Sequence, residues 1–265
     1  MFGTLRVNRE QPLSVRDRFQ LLRDAGFGGV EVASAMNQTE ILAARDACGL
    51  EIPSVVVATH WTHPLTSPNP ATRKIGLDGL LQGLRDAKAY GAKSVLLVPG
   101  VVNKEISYAD AYTRSIEEIK KALPLAEELG VAIAIENVWN GFLLSPLEAA
   151  AYVDGFKSKL VRWHFDVGNV VDTGWPQHWV QTLGDRIVQI HVKEFSRKIR
   201  DEKGQRTGFQ VELLAGDSDW PEVMAALDKV GYTGWMIAEQ NRPANLTDAE
   251  WLNGISRKMD EIIAI

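Results

Sequence analysis

Residues 131–137, VAIAIEN, decide the fold class, because a short run of Val, Ala and Ile ends there on the carboxylate of Glu136. Three further runs of this kind follow: RWHFDVGN at 162–169, RIVQIHVKE at 186–194 and GWMIAEQ at 234–240. The apolar part of each of these runs ends on Asp166, His191 or Glu239. All four runs therefore carry a potential metal ligand where the predicted strand ends. In α/β barrels the residues that do chemistry lie at the carboxyl ends of the strands, where the βα-loops form the open face. The four runs therefore predict a parallel barrel with an active site on that face.

The rest of the chain repeats the same alternation of strand and helix, which is typical of a parallel sheet with crossover helices. We predict strands near residues 2–7, 28–33, 52–58, 93–98, 131–136, 161–166, 186–192 and 234–239. Eight such strands close a (β/α)8 TIM barrel, and 265 residues fit one domain over 1–265, since these barrels typically have about 250 residues. The early glycine cluster AGFGGVE at 25–31 enters a strand rather than leaving one, which disfavours a nucleotide-binding open sheet.

Composition narrows the class of protein. Apolar residues make up 45% of the chain and charged residues 24%, as in an ordinary globular enzyme. The net charge of -5 argues against a nucleic-acid surface, and no apolar run reaches the length of about 18 residues that a membrane span needs. The single cysteine, Cys48, cannot form an internal disulfide and favours a cytoplasmic location. The first residues, MFGTLRVNRE, lack a signal-peptide core, although a leader trimmed upstream stays open.

The four strand-end residues predict one bound divalent metal ion. A single acidic residue at a strand end is weak evidence, and His191 alone would more often be a core histidine. Four successive strands that end on Glu136, Asp166, His191 and Glu239 bring their side chains within reach of one ion. Three carboxylates and one imidazole favour Mn²⁺ or Mg²⁺, with Co²⁺ and Zn²⁺ as alternatives.

The chain resembles the xylose-isomerase-like TIM-barrel superfamily of sugar isomerases and epimerases. Within it, the chain is most similar to L-ribulose/L-xylulose 5-phosphate 3-epimerases and to the ketose 3-epimerases. The resemblance covers nearly the whole chain and rests on IEN at 135–137, FDVGN at 165–169, IHVKE at 190–194, AEQ at 238–240, and His60 followed by SPNPATR at 67–73.

That resemblance implies specific roles. It implies that Glu136, Asp166, His191 and Glu239 bind the metal and that Glu136 and Glu239 also serve as the catalytic acid/base pair. Lys193 resembles the H-x-K-D/E element of members that act on sugar phosphates. Asn169 departs from the histidine that members acting on free ketoses carry three residues after the aspartate ligand. Both features favour a phosphorylated substrate.

Chemistry supports the same reaction class. Inverting a carbon beside a ketose carbonyl requires removal of a weakly acidic C–H proton, and a positioned carboxylate contributes only about 10²–10⁴-fold. A divalent ion supplies the missing electrophile, so we expect a 3-epimerase that acts through a metal-bound enediolate. An aldose–ketose isomerase resembling hydroxypyruvate isomerase, or a sugar dehydratase, would use the same site.

We predict that His60, Trp61, Lys193, Arg197 and Asn169 bind substrate. A structural hydrogen bond is the alternative for His60, a salt bridge to Glu194 or Asp166 for Lys193, and solvation for Arg197. The long segments 59–70, 99–107 and 193–218 follow predicted strands and are candidates for substrate loops. We expect Glu31 to support the site rather than to touch substrate, and His164 to fill the barrel.

Two more distant functions stay open. Apurinic-site endonucleases share this barrel superfamily, but they hold three zinc ions with many histidines, and this chain has five histidines in all. A binding protein that has lost catalysis is disfavoured by the intact pair of glutamates. We expect a small-molecule sugar or sugar phosphate as the partner, with no nucleic acid and no membrane. A homo-oligomer is also an expectation, although no interface can be identified. The sequence does not name the sugar.

Overall fold

Seven parallel strands form the sheet that carries the site. The structure, a computed structural model, describes residues 13–265. Its strands are β1 Val32–Ala33, β2 Ser54–Val56, β3 Ser94–Leu97, β4 Ala132–Glu136, β5 Val161–Asp166, β6 Ile187–Val192 and β7 Met236–Ala238. They pair in chain order, each parallel to the next, with β1 and β7 at the two edges of the described sheet. Seven of the eight predicted strands are thus confirmed, while the strand predicted near residues 2–7 lies outside the described residues.

The described part of the sheet is an open barrel rather than a closed one, since its two edge strands do not pair with each other within residues 13–265. Helices connect the strands: α1 Val15–Asp24, α2 Gln38–Cys48, α3 Pro70–Tyr90, α4 Tyr108–Leu129, α5 Pro146–Asp154, α6 Val167–Val171, α7 Pro176–Leu183, α8 Arg197–Lys203, α9 Trp220–Val230 and α10 Asp248–Ile263. Two short 3₁₀ turns, Gly184–Arg186 and Gln205–Phe209, complete the connections. Within residues 13–265 no helix has the length and apolar character needed to cross a membrane.

Local sequence explains where these helices begin and end. Serine or asparagine side chains cap the amino ends of α2, α3 and α4 by accepting a backbone N–H of the first turn. Glycines in the left-handed conformation close the carboxyl ends of α3, α4 and α9, at Gly91, Gly130 and Gly231. These three glycines lie in the connections that lead to β3, β4 and β7. Segment 193–218, the predicted substrate-loop candidate, contains α8 and a 3₁₀ turn.

The alternation of side chains along the strands separates the core from the site. In β5, Trp163 and Phe165 are fully buried and pack beside Trp179 of α7, with ring centroids 6.4 Å apart in both pairs. Successive strand residues point to opposite faces, so His164 and Asp166 share the other face, inside the sheet's curve. The apolar residues of each strand therefore anchor the helices, while the polar residues between them are directed inward.

Candidate active site

The four predicted metal ligands converge at the carboxyl ends of four neighbouring strands. Glu136 ends β4, Asp166 ends β5, His191 lies one residue before the end of β6, and Glu239 directly follows β7. One donor atom from each lies within 4.8 Å of the corresponding atoms of the others. His191 Nδ1 is 3.1 Å from Glu136 Oε1, 3.2 Å from Glu239 Oε2 and 3.9 Å from Asp166 Oδ2. The imidazole thus faces all three carboxylates.

Strand register directs these residues to the same face of the sheet. His164 pairs with Glu136 and His191 pairs with Asp166 across neighbouring parallel strands. A register shift between Trp163 and His164 sets the second of these alignments. The backbone N–H of Glu239 donates to the carbonyl of Val192 at 2.9 Å, which extends the pairing of β6 and β7 by one residue. Asp166 and Glu239 each lie two residues beyond the partner of the preceding ligand, so all four side chains point to one face.

The donor set fits a divalent cation. Asp166 is fully buried, and its Oδ2 accepts no hydrogen bond within the described part of the chain. Burial raises the pKa of Asp166 to about 8, and the neighbouring Glu239 and Glu136 add to the shift. Lys193 Nζ lies 3.5 Å from this oxygen without hydrogen bonding to it, so the oxygen is open to a closer cation. Three carboxylates and an imidazole around one point suit Mn²⁺ or Mg²⁺. The identity of the ion stays a prediction.

A buried network holds the other side of the His191 ring. His191 Nε2 lies 2.9 Å from Glu31 Oε2, and Ser54 donates a hydrogen bond to the second oxygen of that carboxylate. Gln189 in turn donates to Ser54 Oγ at 3.2 Å. The supporting role predicted for Glu31 thus has a defined partner, which the sequence could not reveal.

His164 packs against the same ring. The His164 and His191 rings lie edge to face with centroids 4.1 Å apart. Burial lowers the pKa of His164 to about 3, so its imidazole is neutral. Neither of its nitrogens is hydrogen bonded to any of residues 13–265. His164 therefore fills the barrel interior beneath the site, as expected from the sequence.

Asn137, the last residue of the IEN motif, ties Asp166 in place. Its side chain donates to the Asp166 carbonyl at 2.7 Å and accepts from the Asp166 backbone N–H at 3.0 Å. It also accepts from Trp163 Nε1 at 3.1 Å. The backbone N–H of Asn169 donates to Asp166 Oδ1 at 2.7 Å, and the Asn169 amide donates to the Asn137 carbonyl at 3.0 Å. One Asp166 oxygen is thus fixed and the other left open toward the cluster.

Lys193 places an ammonium group beside the carboxylates. Its Nζ lies 3.0 Å from Glu239 Oε2 and 3.5 Å from Asp166 Oδ2, and 4.9 Å from the centre of the Phe209 ring. Although burial opposes the charge, these carboxylates raise the pKa of Lys193 above its usual range. The salt bridge foreseen as an alternative role for Lys193 is therefore present, and Glu239 is its nearer partner.

A cleft of about 490 Å³ opens above the cluster. Glu136, Glu239 and Lys193 reach it from below, and Trp61, Trp139 and Phe209 form aromatic walls. Trp139 and Phe209 pack with ring centroids 4.8 Å apart. The remaining residues of its lining are Val138, Asn169, Arg206, Gln240 and Asn241. Apolar walls with a few convergent polar groups are typical of small-molecule sites.

The residues predicted to bind substrate divide into two groups. Trp61, Lys193 and Asn169 line the cleft. His60 is buried behind it, and its Nδ1 accepts a hydrogen bond from the Val98 N–H at 3.1 Å, which is the structural role considered as its alternative. The guanidinium of Arg197 is held by backbone carbonyls instead, at 3.0 Å from Val171 O and 2.8 Å from Gly174 O. Substrate binding by His60 and Arg197 thus stays a prediction without support from this geometry.

Sequence reasoning did not single out several residues of the cleft, among them Arg206, Phe209 and Asn241. Arg206 is exposed and lines the cleft, whereas Arg197 does not. Arg206 and Phe209 belong to the 3₁₀ turn within segment 193–218, which was predicted as a substrate loop. The segment thus contributes Arg206 and Phe209 to the cleft, but no sequence signal pointed to these side chains.

Comparisons with known proteins agree with this architecture. A family model described as "Xylose isomerase-like TIM barrel" matches residues 19–256. A putative L-ribulose-5-phosphate 3-epimerase, SgbU of Escherichia coli, is 25% identical over 241 residues, which is 86% of this chain and 84% of that protein. A crystal structure of a D-tagatose 3-epimerase-like protein superposes with a TM-score of 0.75 at 21% identity, covering 90% of both chains. That of the E. coli 3-keto-D-glucoside 4-epimerase YcjR gives 0.78 at 14% identity, covering 96% of this chain and 97% of the other.

Proposed function

The chain belongs to the xylose isomerase-like TIM barrel family, and we propose that it is a divalent-metal-dependent sugar or sugar-phosphate 3-epimerase. The observation that carries the proposal is that Glu136 and Glu239 line the cleft and also belong to the four-residue cluster. A bound divalent ion would supply a Lewis acid that stabilises negative charge developing on substrate oxygens. The named activities of the similar proteins, all of them sugar epimerases, support the same reaction class.

We assign the acid/base roles to Glu136 and Glu239. They extend from β4 and β7, which are separated by two strands, so they approach a sugar in the cleft from different sides. One carboxylate removes the C3 proton, and the C–H electron pair forms a C2–C3 double bond as the carbonyl oxygen takes up negative charge. The other carboxylic acid then returns a proton to the opposite face of C3, which inverts the centre.

The surroundings of Glu136 and Glu239 shift the pKa values of the two carboxyl groups in opposite directions. Burial raises the pKa of Glu136. Burial acts in the same direction on Glu239, but the charge and hydrogen bonding of His191, with the charge of Lys193, hold its pKa well below its usual value. Lys193 Nζ lies 3.0 Å from Glu239 Oε2, and its charge favours the ionised form of Glu239. We therefore assign Glu239 as the base and Glu136 as the acid for at least one direction of the reaction.

The cleft also supports a polar, anionic substrate. Lys193 and Arg206 line it together with the amides of Asn169 and Asn241. Guanidinium and ammonium groups are the usual partners of phosphate. The E. coli relative is named for a pentulose phosphate. We accordingly propose a pentulose phosphate as the substrate to test before free ketoses.

The other expectations for this protein stay proposals. A single domain spanning 1–265, a cytoplasmic location and a possible homo-oligomer rest on the sequence alone. Donor clusters in residues 13–265 contain only two histidines, His164 and His191, which gives the endonuclease alternative no support. Aldose–ketose isomerisation and dehydration would yield products distinct from an epimer, so product analysis separates them.

Substitution of the glutamates tests the assignment. We expect Glu239→Gln and Glu136→Gln each to lower kcat by at least about 10²-fold, because each removes one proton carrier. Turnover of L-ribulose 5-phosphate and L-xylulose 5-phosphate by Mn²⁺-loaded protein is the measurement. Glu118→Gln is the matched control, since Glu118 is a buried glutamate of α4 that pairs with Arg73 of α3 and Lys121 of α4. Activity retained in either site variant would refute the assigned role.

A further inference from the structure

We infer that Glu31 is a positioning residue that holds the His191 imidazole with Nδ1 facing the metal-ligand cluster. The inference rests on the metal centre proposed above and adds to it a residue outside the four ligands. Glu31 lies directly before β1, on the far side of the described sheet from His191 in β6. The contact between Glu31 and His191 therefore joins the edge of the sheet at β1 to a proposed metal ligand in β6.

The two ring nitrogens of His191 have opposite surroundings. Nε2 lies 2.9 Å from Glu31 Oε2, whereas Nδ1 lies 3.1 Å from Glu136 Oε1 and 3.2 Å from Glu239 Oε2. An ionised carboxylate can only accept a hydrogen bond, so Nε2 must carry the proton it shares with Glu31. That arrangement leaves the Nδ1 lone pair as the one available to a cation among the carboxylates.

Glu31 is itself held rigidly. It is almost completely buried, and Ser54 donates to its second oxygen while Gln189 donates to Ser54. The three residues come from three parts of the sheet: the start of β1, β2 and β6. A carboxylate fixed in this way cannot swing away from the imidazole without leaving buried hydrogen-bonding groups unsatisfied.

Among residues 13–265, no side chain other than Glu31 hydrogen bonds to His191 Nε2. His164 packs against His191 at a centroid distance of 4.1 Å, and its nitrogens make no hydrogen bond to residues 13–265. Shape alone does not distinguish the two flipped orientations of an imidazole, which differ mainly in which atoms are nitrogen. The hydrogen bond to Glu31 therefore selects both the orientation and the tautomer. Partners of this kind typically change metal affinity by about 10–100-fold when removed.

Calorimetric titration of the metal-free protein with Mn²⁺ tests this role. We expect Glu31→Leu to weaken binding by about 10–100-fold. Glu31→Gln keeps the length of the side chain and one carbonyl acceptor for Nε2–H, so we expect a smaller loss. Asp86→Asn is the matched control: Asp86 is also a buried carboxylate, but its partners are the Ala35 N–H and Gln82. Its affinity for Mn²⁺ should equal that of the wild type.

Nitrogen-15 NMR of histidine in Mg²⁺-saturated protein gives a second readout. The wild type and Asp86→Asn should show the His191 ring protonated at Nε2, assigned by its loss in His191→Asn. In Glu31→Leu the Nε2–H loses its carboxylate acceptor, so we expect its proton resonance to move upfield and to exchange faster with water. Glu31→Leu protein that binds Mn²⁺ as tightly as the wild type, or keeps the wild-type shift and exchange rate of Nε2–H, would overturn the inference. Wild-type protein that fails to bind Mn²⁺ would instead refute the metal centre itself, and the inference with it.

Discussion

Replacement of Asn137 by alanine should weaken both the fold and the metal site, by amounts that can be worked from its contacts. The Asn137 side chain satisfies three buried groups: the Asp166 N–H, the Asp166 carbonyl and Trp163 Nε1–H. A buried group that loses its only partner costs about 1 kcal/mol or more, so the variant should lose about 3 kcal/mol of unfolding free energy. The affinity for Mn²⁺ should also fall by about tenfold or more, because Asp166 is no longer held against the cluster.

Asn140 provides the control for this experiment. It is also buried, and its side chain donates to the Gly100 carbonyl at 2.7 Å and accepts from the Phe142 N–H at 3.2 Å. Asn140→Ala should therefore lose about 2 kcal/mol of unfolding free energy, with no change in metal affinity. Urea denaturation followed by tryptophan fluorescence measures the stability, and calorimetry measures Mn²⁺ binding. Equal Mn²⁺ affinities in the two variants would refute the proposal that Asn137 positions Asp166.

Two further predictions concern the charges around the cluster. Burial opposes the charge on His191, but the carboxylates of Glu31 and Glu239 outweigh it and raise the pKa of His191 well above its usual value. The metal-free imidazole is therefore protonated at neutral pH, so Mn²⁺ binding should release a proton, and the affinity for Mn²⁺ should increase as pH rises. Calorimetric titrations in buffers of different ionisation enthalpy would measure the proton release. An affinity for Mn²⁺ that does not depend on pH would contradict the prediction. Lys193→Met removes a cation 3.0 Å from Glu239 Oε2, so Mn²⁺ should bind about tenfold more tightly. The KM for a phosphorylated substrate should rise, because the same cation is proposed to contact the phosphate. Weaker Mn²⁺ binding by Lys193→Met would contradict the first expectation.

The sheet and the ligand cluster could be predicted because their signals are local. Each strand from β4 to β7 is a short apolar run, and parallel strands with matching ends bring their terminal residues together. The convergence of Glu136, Asp166, His191 and Glu239 on one point could therefore be predicted from the sequence. A closed barrel of eight strands was predicted, whereas the described residues form seven strands of an open barrel.

The cleft walls could not be predicted in the same way, because long-range contacts set the path of the loop after β6. Buried Glu194 accepts hydrogen bonds from Leu214 N, Ser218 N and Trp220 Nε1, up to 26 residues away along the chain. Those bonds fold segment 193–218 back on itself. Arg197, near its start, is held by carbonyls at the end of α6 and beyond it, while Arg206 lines the cleft. Spacing from the strand end favoured Arg197, and only the folded loop reveals Arg206.

The partner of a buried ligand is equally hidden in the sequence. Glu31 and His191 are 160 positions apart and touch only because the curved sheet brings β1 opposite β6. A supporting role for Glu31 was predicted from its place in the strand expected at 28–33, but Glu31 lies directly before β1, and its contact with one ring nitrogen depends on the curvature of the whole sheet. The residues at strand ends therefore indicate the candidate metal ligands from the sequence. The residues that position those ligands become evident only from the tertiary structure.

The most direct test of the proposed reaction is proton NMR of ketose turnover in D₂O with Mn²⁺-loaded protein, quenched and freed of metal before measurement. The substrates are L-ribulose 5-phosphate and L-xylulose 5-phosphate, followed by the free pentuloses and hexuloses. We predict a new epimer that carries deuterium at C3, formed by wild-type protein and lost in Glu239→Gln. Deuterium at C1 with formation of an aldose, loss of water, or no exchange on any ketose despite bound Mn²⁺ would contradict the account.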